Sequence, residues 1–115
     1  MNIITKYYRM ACLWLKDFIP YTPDLKLTNA KSYMGQLDIK NQVIYISKFH
    51  HVDVLWLMDS EDRCEIIDTI CHELAHTIVP RHDDLHERAT KAFMTIVLNN
   101  LEIAELEQRL KVVTI

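Results

Sequence analysis

The sequence predicts an α+β domain in which a small antiparallel sheet packs on helices, one central helix carrying a histidine–glutamate pattern. Three observations predict it. Apolar residues recur at helical spacing over residues 3–19, from about 62 to 78, and from 84 onward. Between the first two of these stretches, residues 24–47 hold short alternations rich in β-branched and aromatic side chains. The chain has 115 residues, 50% apolar and 25% charged, enough for one core and too few for two, so residues 1–115 are read as a single domain.

In the first helix Ile4, Tyr7 or Tyr8, Ala11 or Cys12, Leu15 and Phe18 or Ile19 form the inward stripe, and Pro20 and Pro23 end it. Leu25-x-Leu27, Leu37-x-Ile39 and Val43 to Ser47 read as three strands. Asn41-Gln42 marks the turn before the last, so the hairpin 33–47 is the clearest part of the sheet. The chain's one glycine, Gly35, stands near the start of the second strand, where a bulge or turn would use it. Residues 48–59 have no clean period and are assigned a short helix. His50 and His51 are adjacent, point apart, and make poor joint ligands. Ser60 or Asp62 caps the next helix, in which Ile67, Ile70, Cys71, Leu74 and Ile78 face the core while Glu65, Asp68, Thr69, His72 and His76 form a polar face. Asp84-x-x-Glu87 has the form of a capping box for a helix through Leu85, Ala89, Phe93, Ile96 and Val97. Asn99-Asn100 would break it before a last helical segment.

The chemistry concentrates between Cys71 and His86. His72-Glu73-x-x-His76 places two imidazoles four residues apart, on one helix face about 6 Å apart in rise, with a carboxylate beside them. That is a zinc-hydrolase signature. A catalytic zinc takes three protein ligands and leaves a fourth position for water. His82, six residues beyond His76, can supply the third, because Pro80 stops the helix and lets the chain turn back. His86 and Glu87 are the other candidates, but they fall in the first turn of the following helix, where Glu87 already has a capping role. Asp83 and Asp84 could orient a ligand histidine or cap that helix. Three neutral imidazoles leave the charge of Zn²⁺ uncompensated, so a coordinated water acidifies to a pKa of about 7. Glu73 is the candidate general base for that water, with a peptide carbonyl as its target. Tyr45, Tyr33 and Arg81 are candidates for oxyanion assistance, with strand packing and loop solvation as their simpler explanations.

His72-Glu73-Leu74-Ala75-His76, five residues and then His82 resembles the minimal zincin core of the SprT-like, WLM and YgjP-like metallopeptidases. The resemblance covers roughly residues 33–98, and only the histidine motif is specific. It implies a zincin-like fold, a peptide or protein substrate, and an edge strand beside the motif that pairs with extended substrate, a role that falls on residues 43–47. Metzincins share the histidine spacing but have glycine where this chain has Val79, and their methionine turn has no counterpart, since Met94 lies within a helical pattern. WLM-type and YgjP-like members commonly have an aromatic residue where this chain has His86. Some SprT-like and WLM members act on proteins crosslinked to DNA through added DNA-binding regions, for which this chain has no room. YbeY-like endoribonucleases share the spacing but usually have glycine at the position of Glu73, which makes a metal-dependent ribonuclease the alternative. A further alternative is a non-catalytic zinc-stabilised binding module, in which His86, His50 or Cys71 would close the fourth position.

The formal charge of −3 gives no basic surface for nucleic acid, which remains a possible but unindicated partner. The three cysteines, Cys12, Cys64 and Cys71, form no disulfide-framework spacing and are read as reduced thiols mostly packed in the core. The apolar run from Met10 to Leu15 is too short for a leader or a membrane span. The expectation is a cytoplasmic protein without a membrane partner; the oligomeric state is open.

Overall fold

A computed structural model describes residues 2–50 and 60–113. Among these residues the order is α1 (Ile3–Leu15), β1 (Asp24–Thr28), β2 (Gly35–Asp38), β3 (Val43–Ser47), a 3₁₀ turn (Lys48–His50), α2 (Ser60–Ala75) and α3 (Asp84–Val113). The architecture is α+β: three helices and a three-stranded mixed sheet.

Asn2 starts α1, its side chain accepting the N–H groups of Ile4 (2.8 Å) and Thr5 (3.3 Å), as an N-cap should. The helix ends at Leu15, earlier than residue 19; Ile19 still reaches the core from the following turn, whereas Phe18 is exposed. The Tyr8 hydroxyl donates to the Pro23 carbonyl and ties α1 to the start of β1.

The sheet departs from the expected antiparallel arrangement. Its order is β1-β3-β2, with β3 parallel to β1 and antiparallel to β2. Residues 43–47 are therefore the central strand and not an edge. The reason is apolar content: Ile44 and Ile46 are fully buried, and the strand that buries most gains most from neighbours on both sides. The hairpin of β2 and β3 forms as predicted. Asp38 accepts the Asn41 backbone N–H (3.0 Å) and its side-chain amide (2.8 Å), and Gln42 takes the left-handed conformation (φ 55°) before β3. Gly35 makes neither a bulge nor a turn; it is the first residue of β2, paired with Ile46.

The core lies where Ile44 and Ile46 meet Ile4, Tyr8 and Leu15 of α1, Ile66, Ile67, Ile70 and Leu74 of α2, and Phe93 and Val97 of α3. Cys12 and Cys71 are buried in it and Cys64 is exposed, all three as free thiols, in line with the reading of them as mostly core. Ile78, placed on the core stripe by periodicity, is exposed because α2 has already ended. α3 runs unbroken through Asn99 and Asn100. The Asn100 amide donates back to the Ile96 carbonyl (2.7 Å), so its polar group is satisfied within the helix. Of the short helix assigned to 48–59, the described residues include a 3₁₀ turn at Lys48–His50; residues 51–59, with His51, lie outside the described residues. No helix among the described residues is long and apolar enough to cross a membrane.

Candidate metal centre

The end of α2 builds the site. Beyond Ala75 the backbone tightens: His76 N–H bonds to the Glu73 carbonyl, Thr77 to Leu74 and Ile78 to Ala75, each at 3.1 Å and spanning three residues instead of four. Pro80 follows, and the chain turns back before α3. Asp83 caps α3, its carboxylate accepting the His86 N–H at 3.0 Å while its carbonyl accepts that of Glu87. The cap is thus Asp83, one residue earlier than the Asp84-x-x-Glu87 box. Asp84 and Glu87 instead pair along the helix surface with Arg88 and Lys91.

Four imidazoles meet at this turn. His72, His76 and His86 form a group whose ligand atoms all lie within 4.8 Å of one another, so the cluster could hold a metal ion. The Nε2 of His82, on the exposed turn, lies 3.3 Å from that of His72 and 3.1 Å from that of His76. Nitrogens at tetrahedral positions about 2.0–2.1 Å from zinc stand about 3.3 Å apart, so these spacings fit the donor set of a zinc site. His86 differs. Its ring stacks on His76 with centroids 3.9 Å apart and planes 13° from parallel. An ion ligated by an imidazole lies near the ring plane, so a site using both of these stacked rings would require one of them to turn. The His86 Nε2 also bonds the His72 carbonyl, at 2.9 Å. His76 Nδ1 donates to the Val79 carbonyl at 3.0 Å, which leaves its Nε2 as the bare nitrogen.

Burial, and then the neighbouring imidazoles, hold His72 down to about 4. His76 is lowered chiefly by burial, against the opposing Val79 carbonyl. Both rings are therefore neutral, the form that ligates, near neutral pH. Glu73 is buried, only 5% exposed, and burial pushes its carboxyl up to about 7, with the Leu37 backbone N–H working in the opposite direction. Its Oε1 lies 3.8 Å from the His72 Nε2.

A cleft of about 250 Å³ opens in front of these groups, walled by Gln36 and Leu37 of β2 on one side and by Glu73, His76 and His82 on the other. A second of about 440 Å³ adjoins it, sharing Gly35, His72 and Glu73 and reaching Met34, Glu65 and Asp68. Tyr33 and Arg81 point elsewhere: the Tyr33 hydroxyl donates to Thr28, and Arg81 is an exposed loop residue near Asp83. Tyr45, on the central strand, lines neither cleft. Sequence reasoning missed the contact of Gly35 with Glu73, where an added Cβ would lie 3.0 Å from the Glu73 Cγ. The sequence offered only that Gly35 is the chain's one glycine, for which a bulge or turn was the simpler explanation. His86 was weighed only as a ligand, and spacing alone could not show that it supports the His72 backbone.

Compared with family models, curated proteins and solved structures, the chain matches none.

Proposed function

We propose that this chain is a zinc-dependent metallopeptidase of the zincin type, with His72, His76 and His82 as metal ligands and Glu73 as general base. One observation carries the reading: the His82 Nε2 lies 3.3 Å from that of His72 and 3.1 Å from that of His76, beside a buried carboxylate. His82 is preferred to His86 as the third ligand because its Nε2 faces the other two, whereas His86 is stacked on His76 and bonded to the His72 carbonyl.

Bound zinc would supply Lewis acidity toward a substrate carbonyl and lower the pKa of the attacking water. The protein's own part is proton transfer and orientation. A Glu73 carboxyl near neutral pKa accepts a proton from water at its Oε atoms and returns it to the departing nitrogen, completing hydrolysis without a net change in the side chain. The Leu37 N–H faces the carboxylate and favours its ionised form, the Val79 carbonyl orients the His76 ring, and the His72 carbonyl orients that of His86. An extended peptide would lie along the β2 side of the cleft. The substrate-pairing role assigned from sequence to residues 43–47 passes to Gly35–Asp38, because β3 is enclosed by β1 and β2. Glu65 and Asp68, beside this cleft, disfavour the ribonuclease alternative, since they would repel a phosphodiester backbone.

The test is hydrolysis of an unstructured protein such as casein by zinc-loaded parent and Glu73→Gln. The reading expects the variant to keep zinc and lose cleavage by about 100-fold or more. Equal cleavage by both, or cleavage of RNA but not of protein by the parent, would overturn it.

A further inference from the structure

Gly35 is the only glycine in the chain, and its backbone is not in the left-handed region. Conformational freedom therefore does not explain it; the missing side chain does. A Cβ at this position would meet the Thr69 Cγ2 at 2.9 Å and the Glu73 Cγ at 3.0 Å, with the Tyr45 carbonyl oxygen at 3.5 Å. Carbon atoms in contact prefer about 3.5–4.0 Å, so two of these approaches require something to move.

Which group moves is constrained. Thr69 is buried, and its hydroxyl donates to the Glu65 carbonyl at 3.1 Å, which fixes the side chain with its methyl toward the strand. Glu73 is the freer neighbour, and the Leu37 backbone N–H of the same strand faces its carboxyl and favours the ionised form. The start of β2 thus touches the Glu73 stem while the backbone at its third residue faces the Glu73 head. Both contacts require β2 to lie against α2 as closely as a glycine permits.

We propose that Gly35 is a positioning residue: by lacking a side chain, it seats β2 on α2 so that the Leu37 N–H and the β2 backbone aim the Glu73 carboxylate at the metal cleft. This deepens the hydrolase reading and, for its kinetic consequence, rests on it.

The test compares parent, Gly35→Ala, Thr69→Ser and Gly35→Ala/Thr69→Ser. Thr69→Ser keeps the hydroxyl that bonds Glu65 and removes the methyl that an alanine at 35 would strike. Zinc content, kcat and KM on casein, and hydrogen exchange of the Leu37 amide in the metal-free protein are measured for each. Gly35→Ala should keep its zinc and lower kcat by about 10- to 100-fold with KM changed less than about threefold, as a displaced catalytic group would. Its Leu37 amide should exchange about tenfold faster or more, and the double variant, relieved of the Thr69 contact but not of the Glu73 contact, should recover part of both changes. Parental kcat and Leu37 exchange in Gly35→Ala would overturn the proposal. So would a Thr69→Ser single variant that reproduces the loss by itself, because the effect would then not run through a side chain added at position 35. If the parent cleaves nothing, the hydrolase reading fails by itself. Leu37 exchange, which needs no activity, still decides the role of Gly35.

Discussion

Glu73 and His72 are adjacent in sequence, and burial shifts both away from the charged form, so their effects on stability oppose each other with pH. The folded protein raises Glu73 to about 7 from 4.5, and so binds its proton more tightly than the unfolded chain does. That contribution is fully present below about pH 4.5 and is lost as pH rises through about 7. In the metal-free protein, Glu73→Gln should therefore raise stability at about pH 8 by on the order of 2 kcal/mol and change it little at about pH 4. Thermal melts at the two pH values measure this; an equal effect at both would contradict the burial of a carboxylate. His72 runs the other way. Its folded pKa is lowered from 6.5 to about 4, so its contribution is present above about 6.5 and lost as pH falls toward 4. In the metal-free parent this loss is offset by the gain from Glu73 over the same range, so the measurement is made on the variant: His72→Asn should raise the melting temperature relative to the parent at about pH 4.5 and change it less at about pH 7. His86 makes a separate prediction. With its Nε2 on the His72 carbonyl, His86→Ala should keep zinc binding but weaken it by about 10- to 100-fold, the usual cost of losing a group that orients a ligand. His82→Ala should weaken it much further, and chelator competition gives both values.

At the scale of elements, the site depends on how two helices end and begin. The last turn of α2 tightens around His76, and Asp83 starts α3 so that His86 enters directly beneath the histidine cluster. Asp83→Ala should cost about 1 kcal/mol in urea unfolding, as lost caps do, and should weaken zinc binding as well. Asp84→Ala should do neither, because Asp84 is an exposed residue paired only with Arg88. The sheet contributes through β3. Ile46 is fully buried between the flanking strands and the helices, and Ile46→Ala should cost about 2–5 kcal/mol, a loss read directly in the same unfolding experiment.

For the whole molecule, the features legible in the sequence were those written locally. The stripe of α1, the turn at Asn41-Gln42 and the helix stop before Pro80 each depend on neighbours within a few residues. The convergence of His72, His76 and His82 also followed from local facts, namely helical spacing and a break that returns the chain. Strand order did not, because pairing β1 with β3 joins segments separated by the whole of β2, and the alternation within each strand does not say which neighbour it takes. Residues 43–47 were assigned to an edge because the zincin resemblance implies a substrate-pairing edge strand before the motif, while their apolar content placed them at the centre. The seating of Gly35 against Glu73 was hidden for the same reason, since it is a contact between a strand and a helix distant in sequence. Asn99-Asn100 misled in the opposite sense: their composition suggests a break, but a helix already anchored by Phe93, Val97 and Leu101 continues through them.

The central claim is that three of the four clustered imidazoles hold one zinc ion with a position left open beside Glu73. A crystal structure of the zinc-loaded protein, with anomalous data collected at the zinc edge, tests it most directly. The account predicts a single ion about 2.0–2.1 Å from the Nε2 atoms of His72, His76 and His82, no fourth protein ligand, and His86 still bonded to the His72 carbonyl. An ion held by His86 in place of His82, or closed by all four histidines, would contradict it.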